Sequence, residues 1–237
     1  MFVTFDIETT EDMKQPICAA IAWVEGDQLR QSVYYGNERE PMSKDAIKLM
    51  LDELKAYADD GRTIVTWNGL QFDFKVIHNA LSGLTEYQRR VADLASKHID
   101  LMYYVFCCKG WPVSQQSACD GSGIKGKVKL VKLSDGREID DMSGAMAPML
   151  WDAGECKAVL EYLVGDVHSL LNLTYCWKQL HQARWLSKSG KHQFLDIDLD
   201  PDSPDLPTVE FCSALPQPDT SWMDRPLKRE SFYDWMK

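Results

Sequence analysis

The chain has 237 residues, 45% of them hydrophobic, and a formal net charge of −10. That length and apolar content favour one large core, and the acidity excludes a protein that grips nucleic acid over a broad basic face, so any polyanion must be held locally. Apolar runs are too short to span a bilayer, the N-terminus lacks the pattern of a signal peptide, and seven cysteines without a regular framework suit reduced thiols, so a cytoplasmic protein with no membrane partner is expected.

Phe2 to Thr10 is rich in β-branched and aromatic residues and predicts a strand. A period of two puts Phe5 and Ile7 on one face and Asp6 and Glu8 on the other, the two acids about 6.5 Å apart at Cα. A buried pair of this kind needs a shared proton or a metal; alone, it equally fits an exposed edge strand. Ile17 to Val24 and Gln31 to Tyr35 predict two more strands in an antiparallel meander. Ser43 then caps a helix whose apolar positions Ile47, Met50, Leu51, Leu54, Tyr57 and Ala58 follow helical spacing up to Asp59-Asp60-Gly61. Thr63 to Trp67 reads as a buried strand, and the order βββαβ resembles a ribonuclease H-type sheet.

Asn68-Gly69 breaks that strand, and Phe72 to Leu81 predicts a helix with Asp73 in its first turn, where an acid also complements the helix dipole. Thr85 to Lys97 and Leu101 to Cys108 predict further helices. Between them stand His98 and Asp100, candidates for metal or phosphate contact, with Asp100 equally suited to capping the second helix. Residues 109–152 form a mixed insertion with glycines, the basic run Lys125, Lys127, Lys129 and Lys132, and a possible hairpin at Ser134-Asp135-Gly136. Lys125 and Lys127 are candidates for phosphate contact, or part of a solvated loop. Trp67, Trp111 and Trp151 are candidates for stacking bases, with Trp67 also suited to the core. From Ala153 to about Leu186 helical spacing returns; Tyr162 and Asp166, four apart, share one face at the margin of the apolar stripe. Residues 193–237 are rich in Asp and Pro and predict an extended or disordered tail, pinned by Trp222, Phe232 and Trp235 and available to a protein partner.

Phe5-Asp6-Ile7-Glu8-Thr9, then Asn68-x-x-x-Phe72-Asp73, then Tyr162-x-x-x-Asp166 resemble, in order, the three exonuclease motifs of the DEDD superfamily of 3′→5′ exonucleases in its tyrosine branch. The resemblance covers about residues 1–177. It implies an α/β, ribonuclease H-like domain over 1–192, with three antiparallel strands followed by parallel ones and flanked by helices. It also implies that Asp6, Glu8, Asp73 and Asp166 hold two divalent cations, Mg²⁺ or Mn²⁺, while Tyr162 orients the attacking water. Thr9, Asn68, Phe72 and Asp100 would then line the substrate's path, although Thr9 and Asn68 equally suit local backbone hydrogen bonds. The implied substrate is a single-stranded or frayed DNA 3′ end. RNA is the alternative substrate, and a catalytically inactive nucleic-acid-binding module the alternative role.

Overall fold

In a computed structural model describing residues 1–37 and 39–236, five strands form the main sheet: β1 (Phe2–Thr9), β2 (Pro16–Glu25), β3 (Gln28–Tyr35), β4 (Thr63–Thr66) and β5 (Ile99–Asp100). Their order is β3-β2-β1-β4-β5. β1 to β3 form an antiparallel meander, and β4 and β5 continue the sheet in parallel from β1. This is the mixed α/β sheet expected from the sequence. β5 has two residues, too few to show a period in the sequence.

Eight α-helices complete the described residues: α1 (Lys44–Asp59), α2 (Asp73–Ala80), α3 (Thr85–Lys97), α4 (Leu101–Lys109), α5 (Gln115–Ser122), α6 (Ala147–Asp152), α7 (Cys156–Leu180) and α8 (Val209–Ala214). Ser43 begins α1 as expected, its Oγ accepting from the Ala46 N–H at 3.1 Å. Strand alternation divides the core in two. Val3, Phe5 and Ile7 point into a cluster with α1 to α4, where burial of each of Ile47, Met50, Leu51 and Leu54 contributes roughly 1.5–3 kcal/mol. Phe2, with Cys18, Ala20 and Ala22 of β2, faces α7. Small side chains on β2 let that 25-residue helix lie close to the sheet.

Two expectations differ from the structure. Helical spacing from Ala153 predicts a helix to about Leu186, yet α7 stops at Leu180, with His181 in the left-handed region at φ +51°. Gln182–Leu186 is instead strand β8, hairpin-paired with β9 (His192–Asp196). The residues after 192 are not merely laid over the surface. Ile197 and Leu199 enter the α7 side of the core, and Val209, Cys212 and Phe232 enter the other. Phe232 lies 4.5 Å from Phe106 and 5.3 Å from Tyr103 between ring centroids. The buried Arg229 guanidinium donates to the carbonyls of Cys107, Ser213, Leu215 and Pro216. Residues 109–152 also contribute core, through Ala118, Cys119, Val131, Leu150 and Trp151, and a short hairpin, β6 (Val131–Lys132) with β7 (Glu138–Ile139), turns at Ser134-Asp135-Gly136.

Candidate active site

The four acids named from the motifs stand on three elements: Asp6 and Glu8 on β1, Asp73 on α2 and Asp166 on α7. Asp6 and Glu8 leave β1 on the α7 side, where Glu8 is 7% exposed. Asp73 opens α2, and its Oδ1 accepts from the Ile7 N–H at 3.0 Å. The Asp6 and Asp73 carboxyls both accept from the Ile7 N–H and so lie against each other. Burial, then the charge of Asp6, pushes the Asp73 carboxyl well above the usual carboxylate range. Tyr162 and Asp166 are buried on the face of α7 that meets β1. Thr4 Oγ1 donates to the Val167 carbonyl at 2.9 Å, and Gln115 Nε2 donates to the Asp166 carbonyl at 3.3 Å.

Positive charge in this cleft comes from Lys127. Its ammonium is ion-paired with Asp166, lies 3.5 Å from Tyr162 Oη and acts electrostatically on Asp6 and Glu8. Burial raises the carboxyls of Asp6, Glu8 and Asp166, the last to about 6, because one ammonium only partly offsets the crowded acids. Asp166 Oδ1 is buried without a hydrogen-bond partner. The insertion that supplies Lys127 also covers Glu8: a Cβ on Gly144 would lie 3.3 Å from Glu8 Oε2.

The donor set therefore suits a hard cation: carboxylate oxygens, one of them unpartnered, with excess negative charge. Among the described residues, no three His, Cys, Asp or Glu side chains gather tightly enough to hold a metal as they stand. For Asp166 to turn both oxygens to a cation, Lys127 has to release it.

The other residues named from the sequence divide by position. Asn68 has φ +68°, lines a cleft of about 370 Å³ with Asp6, Trp67, Gln71 and Lys127, and leaves its buried Oδ1 without a partner. Thr9 is buried at the end of β1, and Phe72 precedes α2 and packs into the core. Asp100 does not line this cleft. It is 1% exposed, with one oxygen accepting from the N–H groups of Asn68 and Tyr103 and the other from that of Leu70, so it caps α4 and holds the 68–70 turn. His98 is equally internal, bonded to Thr66 Oγ1 and the Ala95 carbonyl. Lys125 is exposed and not part of the cleft lining. Trp151 is buried, Trp67 packs against Trp177, and Trp111 is exposed. Gln115 and Gly144 had no signal in the sequence, because each reaches the site only through the path of the insertion.

A family model described as the RNase_H superfamily matches residues 3–177, and the chain belongs to that superfamily. Among solved structures, a product-bound exonuclease I is 14% identical, covering 75% of this chain and 43% of its own, with a TM-score of 0.34. E. coli exonuclease I in complex with a dA16 oligonucleotide is 13% identical over 75% of this chain and 40% of that one, with a TM-score of 0.35. The chain thus spans about two fifths of the length of these structures. The comparison with curated proteins returned no match. No helix among the described residues is long and apolar enough to cross a membrane.

Proposed function

We propose that this chain is a metal-dependent 3′→5′ exonuclease of the DEDD superfamily, in its tyrosine branch, that releases nucleotides from single-stranded or frayed DNA ends. What supports the reading is that Asp6 and Glu8 of β1 and Asp166 of α7 act on one another and on the Tyr162 phenol, with more negative charge than Lys127 balances and one Asp166 oxygen unpartnered. Asp6, Glu8, Asp73 and Asp166 would hold two divalent cations, Mg²⁺ or Mn²⁺. Such a pair, when bound, stabilises charge on the attacking and leaving oxygens of an in-line displacement at phosphorus.

The chain's own groups do the rest. Burial first, and then Asp166, Glu8 and Asp6 against the opposing Lys127, push the Tyr162 phenol above its ordinary pKa. Tyr162, whose hydroxyl lies beside the acids, would orient the attacking water. Asn68 lines the cleft that would receive the terminal nucleotide, and Thr9 lies at the end of β1. Residues 109–152 close over the acids, and the residues after 192 brace the helices behind the 68–70 turn.

A time course with 5′-labelled DNA and matched RNA oligonucleotides, in Mn²⁺ and in EDTA, tests this. The expected result is a descending ladder on DNA in Mn²⁺, absent in EDTA and absent for Asp166→Asn. An equal or stronger ladder on RNA would reassign the substrate. No ladder on either, from folded protein in Mn²⁺, would leave a binding module.

A further inference from the structure

A second groove adjoins the carboxylate cleft. It encloses about 820 Å³ between the start of α5 and the β8–β9 hairpin, and it shares Pro112, Val113 and Ser114 with the cleft that contains Asp6 and Asn68. Its lining includes Trp111, Trp185, Lys188 and Lys191. Both lysines are exposed and sit at the hairpin turn. Lys109 adds a third ammonium 6.0 Å from the Trp185 ring centroid. At the rim, Trp111 meets Trp222 edge-on at 5.6 Å, and the two are 36% and 65% exposed, so neither ring is spent on the core. One acid, Asp120, is also in the lining, its Oδ1 accepting from Gln116 Nε2 at 2.7 Å, so the lysines outnumber it three to one. In a chain of net charge −10, three lysines at a groove rimmed by the exposed rings of Trp111 and Trp222 form a local exception.

We infer that this groove binds the single-stranded polynucleotide upstream of the 3′ end, with Lys188 and Lys191 against phosphates and Trp111 stacked on a base. Rings interleaved with ammonium groups match single strands, because every base has a π-face and every linkage a negative charge. The common wall at 112–114 gives the direction: a strand whose 3′ end enters the carboxylate cleft continues, towards its 5′ end, across that wall into the groove. One wall of the groove, 111–120, lies within the matched residues 3–177, and the other, the β8–β9 hairpin, lies beyond them. The direction rests on the exonuclease reading; the binding itself does not.

The test is fluorescence anisotropy in EDTA with 5′-fluorescein dT12 and dT3, for the wild type, Lys188→Ala/Lys191→Ala, Trp111→Ala and Trp111→Phe, with a salt titration. The expected result is that the double variant binds dT12 about tenfold more weakly, and that its salt slope falls by about 1.4, the value for two lost single-strand phosphate contacts. Trp111→Ala loses about tenfold, as a lost base stack does, and Trp111→Phe recovers most of it. dT3, with only two phosphodiester linkages to offer the groove, separates the variants far less. Wild-type affinity and slope for dT12 in the double variant would overturn the inference, as would displacement of dT12 by polyglutamate of equal charge at equal concentration. Hydrolysis of thymidine 5′-(4-nitrophenyl phosphate) by the wild type in Mn²⁺ reports on the carboxylate cleft separately. Its absence would remove the exonuclease reading and with it the assigned direction, while the dT12 result still decides whether the groove binds.

Discussion

At the scale of single residues, the site is a set of buried charges, and each can be removed to a stated effect. Asp73 is buried beside Asp6, which pushes its carboxyl well above the usual carboxylate range, and Asn at 73 keeps its shape without the charge. Asp73→Asn is expected to change metal-free stability by no more than about 1 kcal/mol while abolishing nucleotide release and Mn²⁺-induced stabilisation, which for a bound cation at 100 times its Kd is about 2.7 kcal/mol. Thermal melts with and without Mn²⁺ check both. Lys127 is the opposite case. In EDTA, Lys127→Met is expected to destabilise the fold by about 2 kcal/mol, less than the loss of a fully buried partner because the lysine side chain is 31% exposed. Mn²⁺ should restore that deficit, giving the variant a larger metal-induced shift than wild type; an equal or smaller shift would mean that Lys127 and the cation do not compete. His98 sits behind the site, its Nδ1–H donating to the Ala95 carbonyl and its Nε2 accepting from Thr66. Burial lowers its pKa to about 4 from 6.5, so its contribution is complete above pH 6.5 and lost as the pH falls towards 4, roughly 3 kcal/mol over that window. Asp100, raised to about 6 by burial against its backbone donors, acts the other way, stabilising below about 4 and losing that stabilisation as the pH rises through 6. Denaturant midpoints of wild type and His98→Gln between pH 4 and 7 isolate the histidine, and the wild type should lose more stability on acidification.

At the scale of elements, the site depends on how closely the insertion approaches α7. Gly165 stands inside α7, one residue before Asp166, and a Cβ there would overlap Val128 Cγ2. Val128 follows Lys127, so a side chain at 165 moves the ammonium. Alanine in a helix is favoured over glycine by about 1 kcal/mol, but overpacking against a stiff β-branched neighbour costs about 1–3 kcal/mol. Gly165→Ala should therefore destabilise the protein, whereas the same change in a Val128→Ala background should be neutral or stabilising. A double-mutant cycle by chemical denaturation measures the difference, and additivity would show that the two segments are not in contact.

At the scale of the whole molecule, the chain's end is part of its core. Phe232 fills a space between Tyr103 and Phe106, and Trp235 Nε1 donates to the Leu70 carbonyl at 2.8 Å, tying the last turns to the loop that carries Asn68. Phe232→Ala is expected to cost about 3–5 kcal/mol and to make residues 217–236 the first site of limited proteolysis. If the tail lay on the surface, the substitution would cost under 1 kcal/mol.

Periodicity in the sequence determined the strand that presents Asp6 and Glu8 on one face, the helix that stacks Tyr162 over Asp166, the cap at Ser43 and the order βββαβ, because each is a relation between neighbours a few residues apart. Gln182–Leu186 was misread because a short alternating run after a long helical stripe gives no clear break. Tertiary structure alone decided that Asp100 and His98 turn inward and that the Asp/Pro-rich tail supplies Phe232 to the core. It alone brought Lys127 from the insertion into the midst of the acids. Such placements are set by which surfaces meet once the sheet is covered on both faces, and contacts across that distance leave no period in the chain.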